Sequence, residues 1–338
     1  MTQHESRKIS LSDFAPRKWF SAPSESSFWL RIFSLVGASE ETLREQSAAM
    51  PREVHLDRPV AMHLAHLQGL KLPLSDITIH ALPSGITQFS MHARDQALPE
   101  GPYVFLATPF RTGDQPGDEV SAKHRLDVVG GVIAAHFGVN LMREMIYQGE
   151  VEAEGGRFSF SSPVVRVPQA TEGPFLHVQN WNDAMEIVDC IARTEKQRAD
   201  RLRLAIEFLH RALRDSEPFF FYWTALEVLC NGKAQRIRSR IQGCYRLASV
   251  GDVDRQTGFA TIARWRHEFF HKGRRVTLSA DVERYIQLLF LDLLRQELQL
   301  PLRGFLAAIQ AASGYNLAPL GLPDNRTEEQ KAMEQTKK

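Results

Sequence analysis

Apolar residues along this chain change their period part-way. Between residues 52 and 112 they come in short β-prone runs: Val60–Leu64, Ile77–Ala81, Gln88–His92 and Tyr103–Ala107. Pro73, Pro83-Ser84-Gly85 and Pro99-Glu100-Gly101-Pro102 separate these runs and are turn signals. The spacing predicts an antiparallel sheet. Upstream, Met1–Ser27 is polar and carries Pro16 and Pro23, which predicts irregular chain. Phe28–Val36 fits a strand or a short helix, and periodicity does not decide between them. Ser39–Met50 reads as a helix, with Ser39 as N-cap and Glu40 and Glu41 in the first turn. Thr112–Gly117 reads as a loop. Asp118–Ile146 has Val128, Val132, Ala135 and Val139 at helical spacing, and Gly130-Gly131 and Gly138 are places where that helix would break. Arg157–Val167 returns to strand-like alternation, and Pro168–Pro174 is the linker candidate.

Beyond the linker the pattern is almost wholly helical. Trp181–Arg193 is one segment, and in Lys196–Arg214 the residues Leu202, Ile206, Leu209 and Leu213 recur at helical steps. Pro218 suits a first helical position, and Phe219–Leu229 is apolar nearly all round, as a central buried helix would be. Lys233–Ala248 is a basic helix ahead of a further helix, Phe259–His271. Ser279–Leu298 carries an apolar stripe through Val282, Tyr285, Ile286, Leu289, Phe290 and Leu293. Arg303–Ser313 is a last short helix, and the charged, apolar-poor Pro323–Lys338 is expected to be a disordered tail. The pattern predicts an α+β N-terminal domain over residues 1–170 and an all-α helical bundle over residues 175–315, with the tail at 323–338.

Composition narrows this little. A chain of 338 residues accommodates two domains, and an apolar fraction of 43% provides for buried cores. The net charge of +1 hides an asymmetry. From Lys233 to Arg303 there are 14 Lys and Arg against 7 Asp and Glu, a local excess of +7. Cys190, Cys230 and Cys244 have no paired spacing, which points to reduced thiols. A polar N-terminus and the absence of a long apolar run lead to the expectation of a cytoplasmic protein with no membrane association.

The densest chemistry lies in Arg264-Trp-Arg-His-Glu-Phe-Phe-His-Lys-Gly273. Trp265, Phe269 and Phe270 suit one face of a short helix that Gly273 ends, with His271 in its last turn. The string Arg266-His267-Glu268-Phe269-Phe270-His271 resembles the signature of the HEPN superfamily, an Arg followed by a polar residue and, a few residues on, a His. Leu202–Ala212, followed by the aromatic run Phe219–Tyr222 and Trp223-Thr224-Ala225-Leu226-Glu227, is similar to the paired helices of the Apea-like HEPN branch. The resemblance covers residues 195–313, under half of the chain. It implies a HEPN-like up-and-down bundle and a metal-independent endoribonuclease with no cofactor. It also implies a homodimer in which two motifs meet. Bacterial chains of such architecture resemble toxins and antiphage effectors, whose partners would be an antitoxin or another defence component.

RNA cleavage of this kind needs a base for the 2′-hydroxyl, an acid for the leaving 5′-oxygen and a cation at the phosphoryl oxygens. Arg266, His271 and His267 are the catalytic candidates. Positions five apart on a regular helix are separated by about 140°, so Arg266 meets His271 only if the helix ends or distorts, or if the arginine reaches around. Otherwise the two cap a helix end and bind surface carboxylates. Glu227, in the most apolar helix, needs a partner, for which Arg266, Arg264 or a motif histidine would serve. Its role is then either to orient the site or to satisfy its own charge. Lys233, Arg236, Arg238, Arg240, Arg264, Lys272, Arg274 and Arg275 are candidates for RNA phosphate contacts, or else solvated helix faces.

Other signals are weaker. His55, His63, His66, His80 and His92 invite a metal reading, but strand alternation scatters them and no metal-site spacing is present. Gly130-Gly131 lacks the residues of a phosphate loop. Two alternatives to the nuclease remain: a non-catalytic HEPN module that binds RNA or a protein, and a ligand-sensing protein whose bundle only dimerises.

Overall fold

The computed structural model describes residues 27–35, 41, 43–45, 52–67, 71–81, 87–110, 116–137, 142–152, 165–166, 178–213, 215, 217–302, 315–324 and 326–336. The chain divides into two compact units, Met1–Ala192 and Arg193–Lys338.

The first unit is built on an antiparallel sheet. Its strands are β1 (Ser27–Leu35), β2 (Arg52–His55), β3 (Pro59–Leu67), β6 (Gly101–Phe110), β7 (Met142–Glu152) and β8 (Val165–Arg166), in the order β2-β3-β6-β1-β7-β8. β4 (Lys71–Ala81) and β5 (Thr87–Ala97) pair with each other as a separate ribbon. β1 settles the ambiguity at Phe28–Val36. It lies between β6 and β7, and both of its faces are buried. Phe28, Leu30 and Ile32 join Phe105, Tyr147 and Val151 in one core, with Leu72 and Leu98 from the base of the ribbon.

Helix α1 (Pro116–Phe137) packs along β6 and β1. Arg31 reaches its Asp127 at 2.7 Å, and its Arg125 reaches Asp57 at 3.0 Å. Burial pushes the Arg125 guanidinium pKa down, while Asp57 opposes the shift. α1 runs unbroken through Gly130-Gly131, because Val128, Val129, Val132 and Ile133 around them are buried. That burial outweighs the roughly 1 kcal/mol that each interior glycine costs. Two sequence expectations are corrected here. Pro116-Gly117 open the helix rather than close a loop, and Met142–Ile146 is strand rather than helix. Pairing of β7 along β1 overrides the helix-favouring Met-Arg-Glu-Met stretch.

Helix α2 (Val178–Arg193) belongs almost wholly to this first unit, where the sequence pattern places it after the linker. Its Asp189 and Asn182 hold Arg52 of β2, at 2.9 and 3.3 Å. The linker Pro168–Pro174, the hairpin turn Pro83–Gly85, the strand expectation before Val165, most of the helix expected at Ser39–Met50 and the helix expected at Arg303–Ser313 lie outside the described residues.

The second unit is helical. It comprises α3 (Lys196–Ala212), α4 (Phe219–Cys230), α5 (Ala234–Tyr245), α6 (Val250–Thr257), α7 (Phe259–Lys272) and α8 (Ala280–Glu297). α3 and α4 pack along each other. α8 is the buried centre, with Tyr285, Phe290 and Leu294 fully covered, and Asp292 accepts a hydrogen bond from Tyr245 at 2.8 Å. α4 is not buried all round. Phe219, Tyr222, Trp223, Ala225, Leu226, Leu229 and Cys230 are inside, whereas Phe220, Phe221, Thr224, Glu227 and Val228 form a half-buried stripe. The tail is not wholly irregular either: Glu328–Gln335 forms helix α9. Thr327 and Gln330 cap it reciprocally, each side chain accepting from the other's backbone amide. The α+β unit followed by a helical unit is therefore as the pattern predicts.

Candidate active site

The site forms where α7 ends beside α4. Trp265 and Phe269 of α7 pack on Phe219 of α4, with ring centroids 6.4 and 6.1 Å apart. Phe270 turns to the side of that contact. It lies 5.8 Å from Phe220 and is 42% exposed, so it does not share the Phe219 contact of Trp265 and Phe269, with which the spacing grouped it on one face. These ring contacts fix the rotation of α7 and so the direction of its polar residues.

Arg266 and His271 meet. Arg266 Nη1 lies 3.0 Å from His271 Nε2, although five residues separate them. The helix closes unusually here: the Gly273 and Arg274 amides both bond to the Glu268 carbonyl, a wider closure than the regular four-residue step. Gly273 supports that ending with a φ of 61°. The arginine supplies the remaining reach, lying over the Phe270 ring at 5.0 Å. Arginine has only donors, so His271 Nε2 accepts, and a neutral His271 then carries its proton on Nδ1. The His267 ring stands 4.9 Å from that of His271, on the face that the four-residue spacing predicts.

Glu227 joins from α4. Its Oε1 is 3.9 Å from Arg266 Nη2, and both side chains are 28% exposed. The contact is an ion pair too long for a hydrogen bond. Glu227 Oε1 and Arg266 Nε are both covered from solvent and lack a hydrogen-bond partner among the described residues. Of the three partners expected for Glu227, Arg266 is the one in place. The burial expected of Glu227 is only partial, because it lies on the half-exposed stripe of α4.

The basic candidates divide into two groups. Arg238 pairs with Asp254 at 3.0 Å and lies over the Phe259 ring. Arg240 shares Glu297 with Arg198 and Arg201. Lys272 and Arg274 both grip Glu268, at 2.6 and 2.9 Å, and this holds the Glu268 pKa below the usual carboxylate range, chiefly through Lys272. Arg275 reaches Glu217 at 3.0 Å. Lys233, Arg236 and Arg264 are exposed and reach no carboxylate among the described residues. A groove of about 520 Å³ lies between the start of α5 and α7. Lys233, Arg238, Arg264, Arg266 and His267 line it, over a floor of Ala234, Ala260 and Ala263. The three alanines carried no signal of their own in the sequence. Their contribution is the space they leave beside long cationic side chains.

Elsewhere, Cys230 and Cys244 are buried, and burial raises both thiols to about 12, so neither is a poised nucleophile. Among the described residues no group of three His, Cys, Asp or Glu side chains is placed to share a metal ion, and no helix is long and apolar enough to cross a membrane. The chain matches no protein-family model, no curated protein and no solved structure. Assignment of a function therefore rests on the motif residues and their geometry.

Proposed function

We propose that this chain is an endoribonuclease of the HEPN type, working without a metal and as a homodimer. The observation that carries the reading is the 3.0 Å contact between Arg266 and His271, with Glu227 behind the arginine. The guanidinium binds the scissile phosphate and gives up its hydrogen bond to His271. The freed Nε2 takes the proton of the 2′-hydroxyl. The 2′-oxygen bonds to phosphorus and the bond to the 5′-oxygen breaks. The leaving oxygen takes its proton from a second imidazole, either His267 or a His271 of the other copy. The products are a 2′,3′-cyclic phosphate and a 5′-hydroxyl. Base, acid and phosphoryl-charge neutralisation all come from side chains, so the reaction as written asks for no metal ion. A toxin or antiphage role, with an antitoxin or defence partner, accompanies this reading.

The test is an assay of purified protein on a generic RNA in EDTA. Cleavage is expected to persist and to leave cyclic phosphate ends. His271→Ala and Arg266→Ala are each expected to lose roughly 100- to 10,000-fold in rate. The double variant should lose little more than either single one, because the two act as a unit. Equal cleavage by wild type and double variant would place the activity elsewhere or in a contaminant. Absence of cleavage together with RNA binding would favour the non-catalytic module.

A further inference from the structure

The basic residues flanking the motif look equivalent in the sequence, and the structure separates them. Lys272, Arg274 and Arg275 are held by Glu268 and Glu217, and Arg238 and Arg240 by Asp254 and Glu297. A cation already bound to a carboxylate gains less from a phosphate, since the existing pair must first be broken. Lys233 and Arg264 are exposed, reach no carboxylate among the described residues, and line the same groove as Arg266 and His267. No acidic residue lines that groove.

Its course follows from helix geometry. Ala260, Arg264, His267 and His271 recur at steps of four, three and four, which puts them on one stripe of α7. The His267 and His271 rings, 4.9 Å apart, mark that stripe. From Arg264 to His271 the axis advances by about 10 Å, at 1.5 Å per residue. That is more than a single phosphate occupies, so the stripe presents Arg264 as a cation beyond the group bound at Arg266. No Phe, Tyr or Trp ring lines the groove, and its one imidazole is the catalytic candidate His267, so a base finds no dedicated stacking platform there. The recognisable part of a ligand here is therefore its backbone charge.

We infer that the groove between the start of α5 and α7 is a phosphate track for single-stranded RNA, in which Lys233 and Arg264 hold the phosphate next to the scissile one. This rests on the ribonuclease reading for the location of the scissile phosphate. A single strand is specified because the 2′-oxygen must line up opposite the departing 5′-oxygen, an alignment that a stacked A-form duplex does not offer.

The experiment measures binding of a labelled uridine homopolymer to full-length His271→Ala protein over a range of salt concentrations. The same series is repeated with Lys233→Ala/Arg264→Ala added. Two lost phosphate contacts should flatten the slope of log affinity against log salt by about 1.4, at about 0.7 per contact for single strands. Lys233→Arg/Arg264→Lys should keep the slope, which separates charge from shape. An unchanged slope, or a loss carried by Lys272→Ala/Arg274→Ala instead, would overturn the track. Cleavage by wild type with an unchanged slope would sink the track and leave the nuclease standing. Binding that depends on Lys233 and Arg264 without cleavage by wild type would sink the nuclease and leave the track. Neither cleavage nor binding would remove both.

Discussion

At the scale of residues, one arginine organises the site. Arg266 touches His271, faces Glu227 and lies over Phe270, so three side chains converge on a single guanidinium. Glu227 shows what a change of burial does to an expectation. A carboxylate buried in an apolar helix would cost several kcal/mol to neutralise beside its cation. At 28% exposure and 3.9 Å the pair is loose. Glu227→Gln is therefore expected to change stability by less than about 1 kcal/mol, while lowering RNA cleavage by loosening the hold on Arg266. Denaturant melts and cleavage rates of the same preparation check both parts. A loss of several kcal/mol would mean that the pair is tighter than this geometry, and wild-type cleavage would remove Glu227 from the site.

At the scale of elements, the helical unit depends on two features that the pattern of apolar residues does not announce. Gly258 ends α6 and starts α7 with a φ of 65°, and a Cβ there would stand 2.1 Å from the Leu320 carbonyl oxygen. Gly258→Ala is expected to cost about 3 kcal/mol or more, from backbone strain plus displacement of the 3₁₀ turn Ala318–Leu320. Gly273→Ala, where φ is 61° and the space is open, should cost only about 1 kcal/mol. Equal melting temperatures for the two variants would contradict this packing. The other feature is Glu283 of α8, near the Tyr222 hydroxyl, which in turn accepts from Gln287 at 2.9 Å. Burial raises the Glu283 pKa to about 7. An unfolded glutamate ionises near 4.3, so between that pH and about 7 the folded state binds the extra proton. Stability is then greatest in the acid part of this window and falls as pH rises through 7. Glu283→Gln should flatten that fall, as chemical denaturation at pH 5 and pH 8 would reveal; an unchanged pH profile would mean that Glu283 ionises normally. Much of this architecture was legible in advance. The runs at Val60, Tyr103 and Ile77 became strands, as their β-prone residues and flanking turn signals predict. The stretches around Leu202 and Ile286 became helices because their apolar residues recur at helical steps. β7 was not legible, since its strand character comes from pairing with β1 rather than from its own residues. α6 was missed as a short helix, although Ser249 supplies its cap. α9 was missed because few apolar residues support it, although Thr-Glu-Glu-Gln spells a capping box. In the site, the motif residues were legible as types and spacing. The 3.0 Å contact was not, because it depends on how the helix closes at Gly273.

At the scale of the whole molecule, the excess of cations after Lys233 is less available than its count implies, since much of it is spent on carboxylates within the helical unit. What the unit leaves open beside its site is instead aromatic. Phe220 and Phe221 lie on the half-buried stripe of α4 with Glu227, and Phe270 is exposed next to Phe220. Large aromatic side chains clustered at a surface favour association, and a self-complementary patch closes as a two-fold dimer. The proposed reaction gives such a dimer a chemical purpose, because a second His271 is one source of the acid. Light scattering is expected to find a dimer at tens of micromolar. Phe221→Glu and Phe270→Glu place a charge in the patch without touching Arg266 or His271 directly in the case of Phe221. Phe221→Glu should shift the protein toward monomer and lower cleavage in proportion to the dimer lost. Phe270→Glu, which also replaces the ring beneath Arg266, should reduce cleavage beyond its effect on assembly. A wild-type protein that stays monomeric at those concentrations with full ribonuclease activity would show that one chain supplies both base and acid, and His267 would then be the acid.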